Sequence, residues 1–132
     1  MSTRRSPSGC PRCSTVADRE RLKGESGGFA GNLEHIAASD EAVQAWAHLD
    51  PDYALQQARE RDDYRGKGLP LGPLHGLPVG LKDIIDTTDF PTENGTPLDA
   101  GRRPRRDATL VARRRAAGAV ILGKTVTTEL AF

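Results

Sequence analysis

The stretch from Gly72 to Asp86, Gly-Pro-Leu-His-Gly-Leu-Pro-Val-Gly-Leu-Lys-Asp-Ile-Ile-Asp, holds the residues best placed to do chemistry. A loop fixed by Gly and Pro runs into an apolar, β-prone run that carries a lysine, Lys82. If Val79 to Ile85 is a strand, side chains alternate between its faces. Val79, Leu81, Asp83 and Ile85 take one face; Gly80, Lys82 and Ile84 take the other. A long cation there either snorkels to water or is held inside by partners. In the second case burial lowers its pKa and makes it usable as a base near neutral pH. Asp83 points to the opposite face, so no ion pair between these two neighbours is expected.

The chemistry that such a lysine can serve is suggested by two longer runs, GLPLGPLHGLPVGLKDIIDTTDFPTENGTP and RDATLVARRRAAGAVILGKTVTTELAF. Together they resemble the amidase signature family of amide hydrolases, strongly over about residues 69–132 and weakly over 31–68. The resemblance implies the N-terminal part of that family's α/β fold, a mixed or parallel sheet covered by helices. It also implies that Lys82 is the general base of a Ser–Ser–Lys triad. In the family one serine attacks the amide carbonyl and a second relays its proton to the lysine, which must be neutral at rest. Both serines belong to a Gly/Ser-rich segment and a strand further on. Here serine occurs only at positions 2, 6, 8, 14, 26 and 39. The expectation is therefore an amidase fragment that carries the base, lacks both serines and is inactive alone.

Composition bounds the alternatives. Leu, Ile, Val and Phe make up 26 of 132 residues, close to the fifth that marks core-poor chains, yet the net charge is only +1. One domain at most is expected. The charge balance gives no whole-chain reason to expect nucleic acid. No apolar run approaches a membrane span, and the basic N-terminus lacks the apolar core of a secretory signal, so the expected address is cytoplasmic. Cys10 and Cys13 could form half a zinc site or a redox pair. A structural zinc needs four ligands, and His35, His48 and His75 lack finger-like spacing, so neither metal nor cofactor is assigned.

The elements that would position Lys82 can be read in order. Residues 1–28 hold Val16 and Leu22 as their only large aliphatics and read as a disordered leader to a truncated amidase domain over 29–132. Asn32 caps a short helix that Ser39 and Asp40 interrupt. Val43–Leu49 reads as a half-buried strand, with Val43, Ala45, Ala47 and Leu49 on one side and Gln44, Trp46 and His48 on the other. Trp46 reads as a packing residue, and His48 and His75 as structural. Asp50-Pro51 starts a helix that ends at Gly66 and Gly68. After Ile85 a long connection, Asp86 to Arg106, shows no period. Asp107 caps the next helix, which presents Leu110, Val111 and Arg114 and stops at Gly118. Ala119–Leu122 reads as a buried strand, completing a parallel βαβ crossover with the Lys82 strand. A sheet so small has an open last edge, with Val120 and Leu122 exposed, and the isolated chain is expected to aggregate or stay partly molten.

Three functions remain open on these residues. The first is an amidase that cleaves a small amide. The second is the matching part of a glutaminase-type A subunit of a tRNA-dependent amidotransferase, a member of the same family. The third is a non-enzymatic α/β binding module. The last would work through its basic runs, Arg102, Arg103, Arg105 and Arg106, and Arg113 to Arg115. Those runs lack interleaved aromatics and read as a solvated face in which at least one arginine of the second run turns toward the sheet.

Overall fold

The computed structural model describes residues 25–132. The expectations for residues 1–24, including Cys10 and Cys13, lie outside the described residues. Helix α1 spans Glu25–Val43, strand β1 Trp46–Leu49, helix α2 Pro51–Gly66 and strand β2 Pro78–Lys82. A 3-10 turn at Pro97–Asp99 lies within the long connection to helix α3, Thr109–Ala116. Strand β3, Val120–Thr125, and a 3-10 turn at Glu129–Ala131 close the chain.

The sheet is mixed and ordered β1-β3-β2. β2 and β3 run parallel, joined through α3, as the βαβ reading requires, while β1 pairs antiparallel with β3. β3 is thus central, which corrects the expected open edge there. Val120 is 0% exposed and Leu122 6%. The chain's third strand in sequence is flanked because β1, an earlier segment, supplies its second neighbour. Each face of β3 carries its own core. Phe29, Leu33, Ala54, Ala58, Val120 and Leu122 pack on one side, with Trp46 and Leu49 against them. Leu81, Phe90, Val111 and Ile121 pack on the other. Full burial of a Val or Ile side chain stabilises by about 1.5–3 kcal/mol, so β3 anchors both layers.

Several boundaries differ from the sequence reading, each for a local reason. Residues 25–28 are helical, and α1 runs through Asn32, Ser39 and Asp40. Ser39 Oγ donates back to the His35 carbonyl at 2.8 Å, a bond compatible with a continuing helix. Asp40 instead serves the helix exit, its Oδ1 accepting from Ala45 N–H at 2.8 Å. That exit, with Gln44 at φ 52°, delays β1 to Trp46. A register irregularity between Trp46 and His48 then breaks the expected alternation, so Trp46 and Leu49 both pack on the first core and Ala47 is exposed. Asp50 caps α2 as expected, accepting from Tyr53 N–H at 2.9 Å. Asp107 does not cap α3; Ala108 holds that position without a side-chain bond. The Asp107 carboxylate accepts instead from Thr88 N–H at 2.8 Å and Arg115 Nε at 3.0 Å.

Arg115 is the arginine of the second run that turns inward. Its guanidinium bridges Asp89 and Asp107 and reaches Gln57 Oε1 at 3.4 Å. Burial pushes the Asp89 carboxyl up, but Arg115, Tyr53 and Thr88 outweigh it and hold its pKa below the ordinary value. Burial and Asp89 together raise the Tyr53 phenol. Arg102 likewise forms a two-pronged pair with Asp86, at 2.7 and 3.1 Å, and lowers its pKa. These clamps order the long connection against α2 and α3.

This packing can be tested at a glycine and at a carboxylate. Gly118 sits at φ +93°, and a Cβ there would meet His75 Cα at 2.8 Å. Gly118→Ala should destabilise by at least about 1–3 kcal/mol, read as a lower urea midpoint. The carboxylate test concerns acid. With a depressed folded pKa, Asp89 stabilises the fold fully above the unfolded carboxylate pKa, and that contribution is lost as pH falls through its folded value. Asp89→Asn should therefore lower stability at neutral pH and flatten its decline below about pH 4, as followed by urea unfolding against pH.

Candidate active site

The parallel strands β2 and β3 end side by side, Lys82 opposite Thr125. In open α/β sheets this carboxyl end is where ligands bind. The expected alternation along β2 holds: Leu81 and Asp83 are buried, and Gly80, Lys82 and Ile84 are exposed. The strand itself stops at Lys82 rather than Ile85, because the chain turns there, Ile85 N–H donating to the Lys82 carbonyl at 2.9 Å. Lys82 is thus exposed at the strand terminus and not enclosed by partners in this structure. It shares its face with Gly80, where the edge of the Trp46 ring fills the room a Cβ would need, 3.0 Å away, next to Thr125.

The buried lysine of this sheet is another one. Lys124 on β3 has 0% side-chain exposure and an ion pair to Asp83 Oδ1 at 3.2 Å. Its ammonium also donates to Thr92 Oγ1 at 2.7 Å and to the Pro91 carbonyl at 3.2 Å. Burial pulls its pKa below the ordinary lysine value, while Asp83 pulls the other way. Asp83 Oδ1 has no conventional hydrogen bond, so this ion pair is what offsets its desolvation.

Lys124 reaches Asp83 because of a bulge. Val79 pairs with Ile121 and Gly80 with Gly123, so Leu122 has no counterpart on β2. One extra residue reverses the alternation beyond it. Ile121 and Lys124 then share the Leu81 face, where a regular strand would place them on opposite faces. Gly123 makes the bulge sterically feasible, since any Cβ there would collide with the His48 carbonyl.

Next to this pair, His48 Nε2 lies 3.0 Å from Glu93 Oε2. Glu93 Oε1 accepts from Gly101 N–H at 2.6 Å, the leading cause of its lowered pKa, with His48 second. His48, Asp83 and Glu93 bring ligand atoms within 4.8 Å of one another, the spacing a metal ion would need. The Lys124 ammonium already supplies the positive charge at Asp83. The sequence hid this grouping, since 45 positions separate His48 from Glu93. His75 is structural, its ring Nε2 donating to the Arg61 carbonyl at 3.1 Å. Elsewhere an apolar groove of about 510 Å³ touches β2 at Val79 and is lined also by Leu74, Leu77, Leu110, Arg113 and Arg114.

The buried ammonium gives a direct test. Thr92→Val keeps the shape but removes its shortest contact, and should cost about 1.5–3 kcal/mol in urea unfolding, with Thr92→Ser close to the parent.

Known proteins are similar to this chain over most of its length. The Amidase family model matches residues 31–132. The A subunit of glutamyl-tRNA(Gln) amidotransferase from Salinispora arenicola is 48% identical over 101 residues, which is 76% of this chain and 21% of that protein. Its namesake from Chloroflexus aurantiacus is 44% identical over 100 residues, 76% of this chain and 20% of its own length. Among solved structures, native peptide amidase from Stenotrophomonas maltophilia superposes with TM-score 0.78 at 39% identity, covering 91% of this chain and 26% of that one. The chain therefore spans about a fifth of the length of the curated relatives it matches. No helix among the described residues is long and apolar enough to cross a membrane. With three quarters of its residues matched by the family model and a sheet that superposes on a solved amidase, the chain belongs to the amidase signature family.

Proposed function

We propose that this chain is a fragment of an amide C–N hydrolase and that Lys82 is its general base. The observation that carries the reading is the position of Lys82, at the carboxyl end of a parallel strand in a segment matched by the family model. A base at that place can take a proton from a hydroxyl nucleophile as it attacks an amide carbonyl, and the proton then goes to the departing amine. The substrate proposed for the whole protein is a small amide, without membrane or nucleic acid as partner, and its setting is the cytoplasm. Both triad serines lie outside these 132 residues on this reading, so the chain by itself hydrolyses nothing.

A second reading, the corresponding part of a glutaminase-type A subunit, is favoured by the names of the relatives at 44–48% identity. Such a protein would release ammonia from glutamine for a partner. The binding-module reading loses ground because Arg102 and Arg115 are engaged in ion pairs with Asp86, Asp89 and Asp107.

The test is a chimera in which residues 31–132 replace the matching segment of the Stenotrophomonas maltophilia peptide amidase. We expect hydrolysis of peptide amides by the chimera, and a loss of about 10²–10⁴-fold in kcat/KM on Lys82→Ala. Residues 1–132 alone should show no hydrolysis. An active chimera indifferent to Lys82→Ala would refute the assignment of the base, and release of ammonia from free glutamine in preference to peptide amides would support the second reading.

A further inference from the structure

A lysine nitrogen carries more N–H bonds than a single partner can use. Whether or not it holds its extra proton, at least one N–H points away from any nucleophile it serves. Those bonds need acceptors, and the acceptors decide which side of the nitrogen faces the nucleophile. A carboxylate would bring a negative charge with it; a hydroxyl brings none. Around Lys82 the carboxylates are committed elsewhere. Asp83 faces the other side of β2 and pairs with Lys124, and Asp86 is held by Arg102. The group in line with Lys82 is Thr125, its pairing partner on β3.

Three observations single out the Thr125 hydroxyl. Asp83 N–H donates to the Thr125 carbonyl at 3.0 Å, which locks the two strands together next to Lys82. Strands so paired lie about 4.7–4.9 Å apart. Next, Thr125 shares the face of Gly80 and Lys82. Its methyl lies 3.1 Å from the place a Cβ of Gly80 would take, beside the edge of the Trp46 ring at 3.0 Å. A β-branched side chain is stiff about its first bond, so this apolar niche fixes the direction of the hydroxyl as well. Last, among the described residues no group hydrogen-bonds that hydroxyl. It is oriented and uncommitted. The Lys82 side chain extends to solvent in this structure, and rotation within its four-carbon stem brings the amine over the neighbouring rung. We infer that Thr125 is a positioning residue for Lys82: its hydroxyl accepts one N–H of the Lys82 amine and so turns the rest of the nitrogen toward the nucleophile. The inference rests on the role proposed for Lys82 above. Thr125 touches no reacting atom in this scheme.

The test uses the chimera with the Stenotrophomonas maltophilia peptide amidase and follows peptide-amide hydrolysis. Thr125→Val keeps the branched shape and the methyl contact but removes the hydroxyl. It should lower kcat about tenfold and leave KM within about twofold, since the lost bond acts on the base and not on substrate binding. Thr125→Ser, which restores the hydroxyl, should return kcat to within about threefold of the parent. In a Lys82→Ala background Thr125→Val should have no further effect, because its only route to the reaction is gone. An unchanged kcat in folded Thr125→Val overturns the inference. So does an equal loss in the Lys82→Ala background, or a Thr125→Ser variant as slow as Thr125→Val. If Thr125→Val loses the parent circular dichroism, Thr125→Ala replaces it, and loss of the fold in both assigns Thr125 to the fold alone and overturns the inference. The Lys82→Ala arm separates the two claims. A chimera that depends on Lys82 but not on the Thr125 hydroxyl sinks only the role of Thr125. A chimera that is inactive, or indifferent to Lys82→Ala, sinks the assigned base and this inference with it.

Discussion

An ammonium group with no access to water has to be matched in charge and in hydrogen bonds, or it cannot stay charged. That requirement, met around Lys124, dictates much of the surrounding structure. Asp83 supplies the charge, Thr92 and Pro91 supply the acceptors, and all three must be brought from β2 and the connection after it to the end of β3. The turn after Lys82, the return of the chain past Thr92 and the backbone bonds of Glu93 and Asn94 to Asp83 are the means by which that happens. The core on this face, Leu81, Phe90, Val111 and Ile121, excludes water from the same place.

The connection from Asp86 to Arg106 has little regular structure, yet it is ordered by charge. Arg102 on Asp86 ties its two ends to each other, and Arg115 ties Asp89 and Asp107 to helix α3. A run of arginines that reads as one basic surface is thereby divided. Some members are committed to intramolecular pairs, and the rest, such as Arg105 and Arg106, remain exposed. The Arg115 pairs, partly enclosed, resist screening better than the exposed Arg102–Asp86 pair.

The sequence was most legible where local chemistry decides the outcome. Asp50-Pro51 starts α2, Gly118 ends α3, and the alternation along β2 separates Lys82 from Asp83. Legibility fell where distant groups decide. Ser39 and Asp40 look like helix breakers until their bonds to His35 and Ala45 are seen. Val120 and Leu122 look like edge residues until β1 arrives beside them. Lys124 was hidden for a related reason. Strict alternation places it with Val120 and Leu122, on the side of the apolar core lined by Phe29, Leu33, Ala54 and Ala58. A glycine directly before a lysine at the end of an apolar strand was the available signal, since Gly within a strand marks a bulge or a close approach.

The bulge at Leu122 sets a parity along the sheet. From Val79 to Lys82 the strand β2 counts four residues, and from Ile121 to Thr125 its partner counts five. Everything before the odd residue faces one way by one rule, and everything after it by the opposite rule. The spacing between Ile121 and Lys124 therefore acts as a reading frame in three dimensions. Were the same five residues paired without the bulge, Lys124 and Thr125 would exchange faces, and an ammonium would stand beside Lys82 where a hydroxyl stands now. Removal of Gly123 would instead abolish the bulge and leave Lys124 two positions from Ile121, on the face it already occupies. Chemical identity at this sheet end is thus carried as much by a count as by the residues counted.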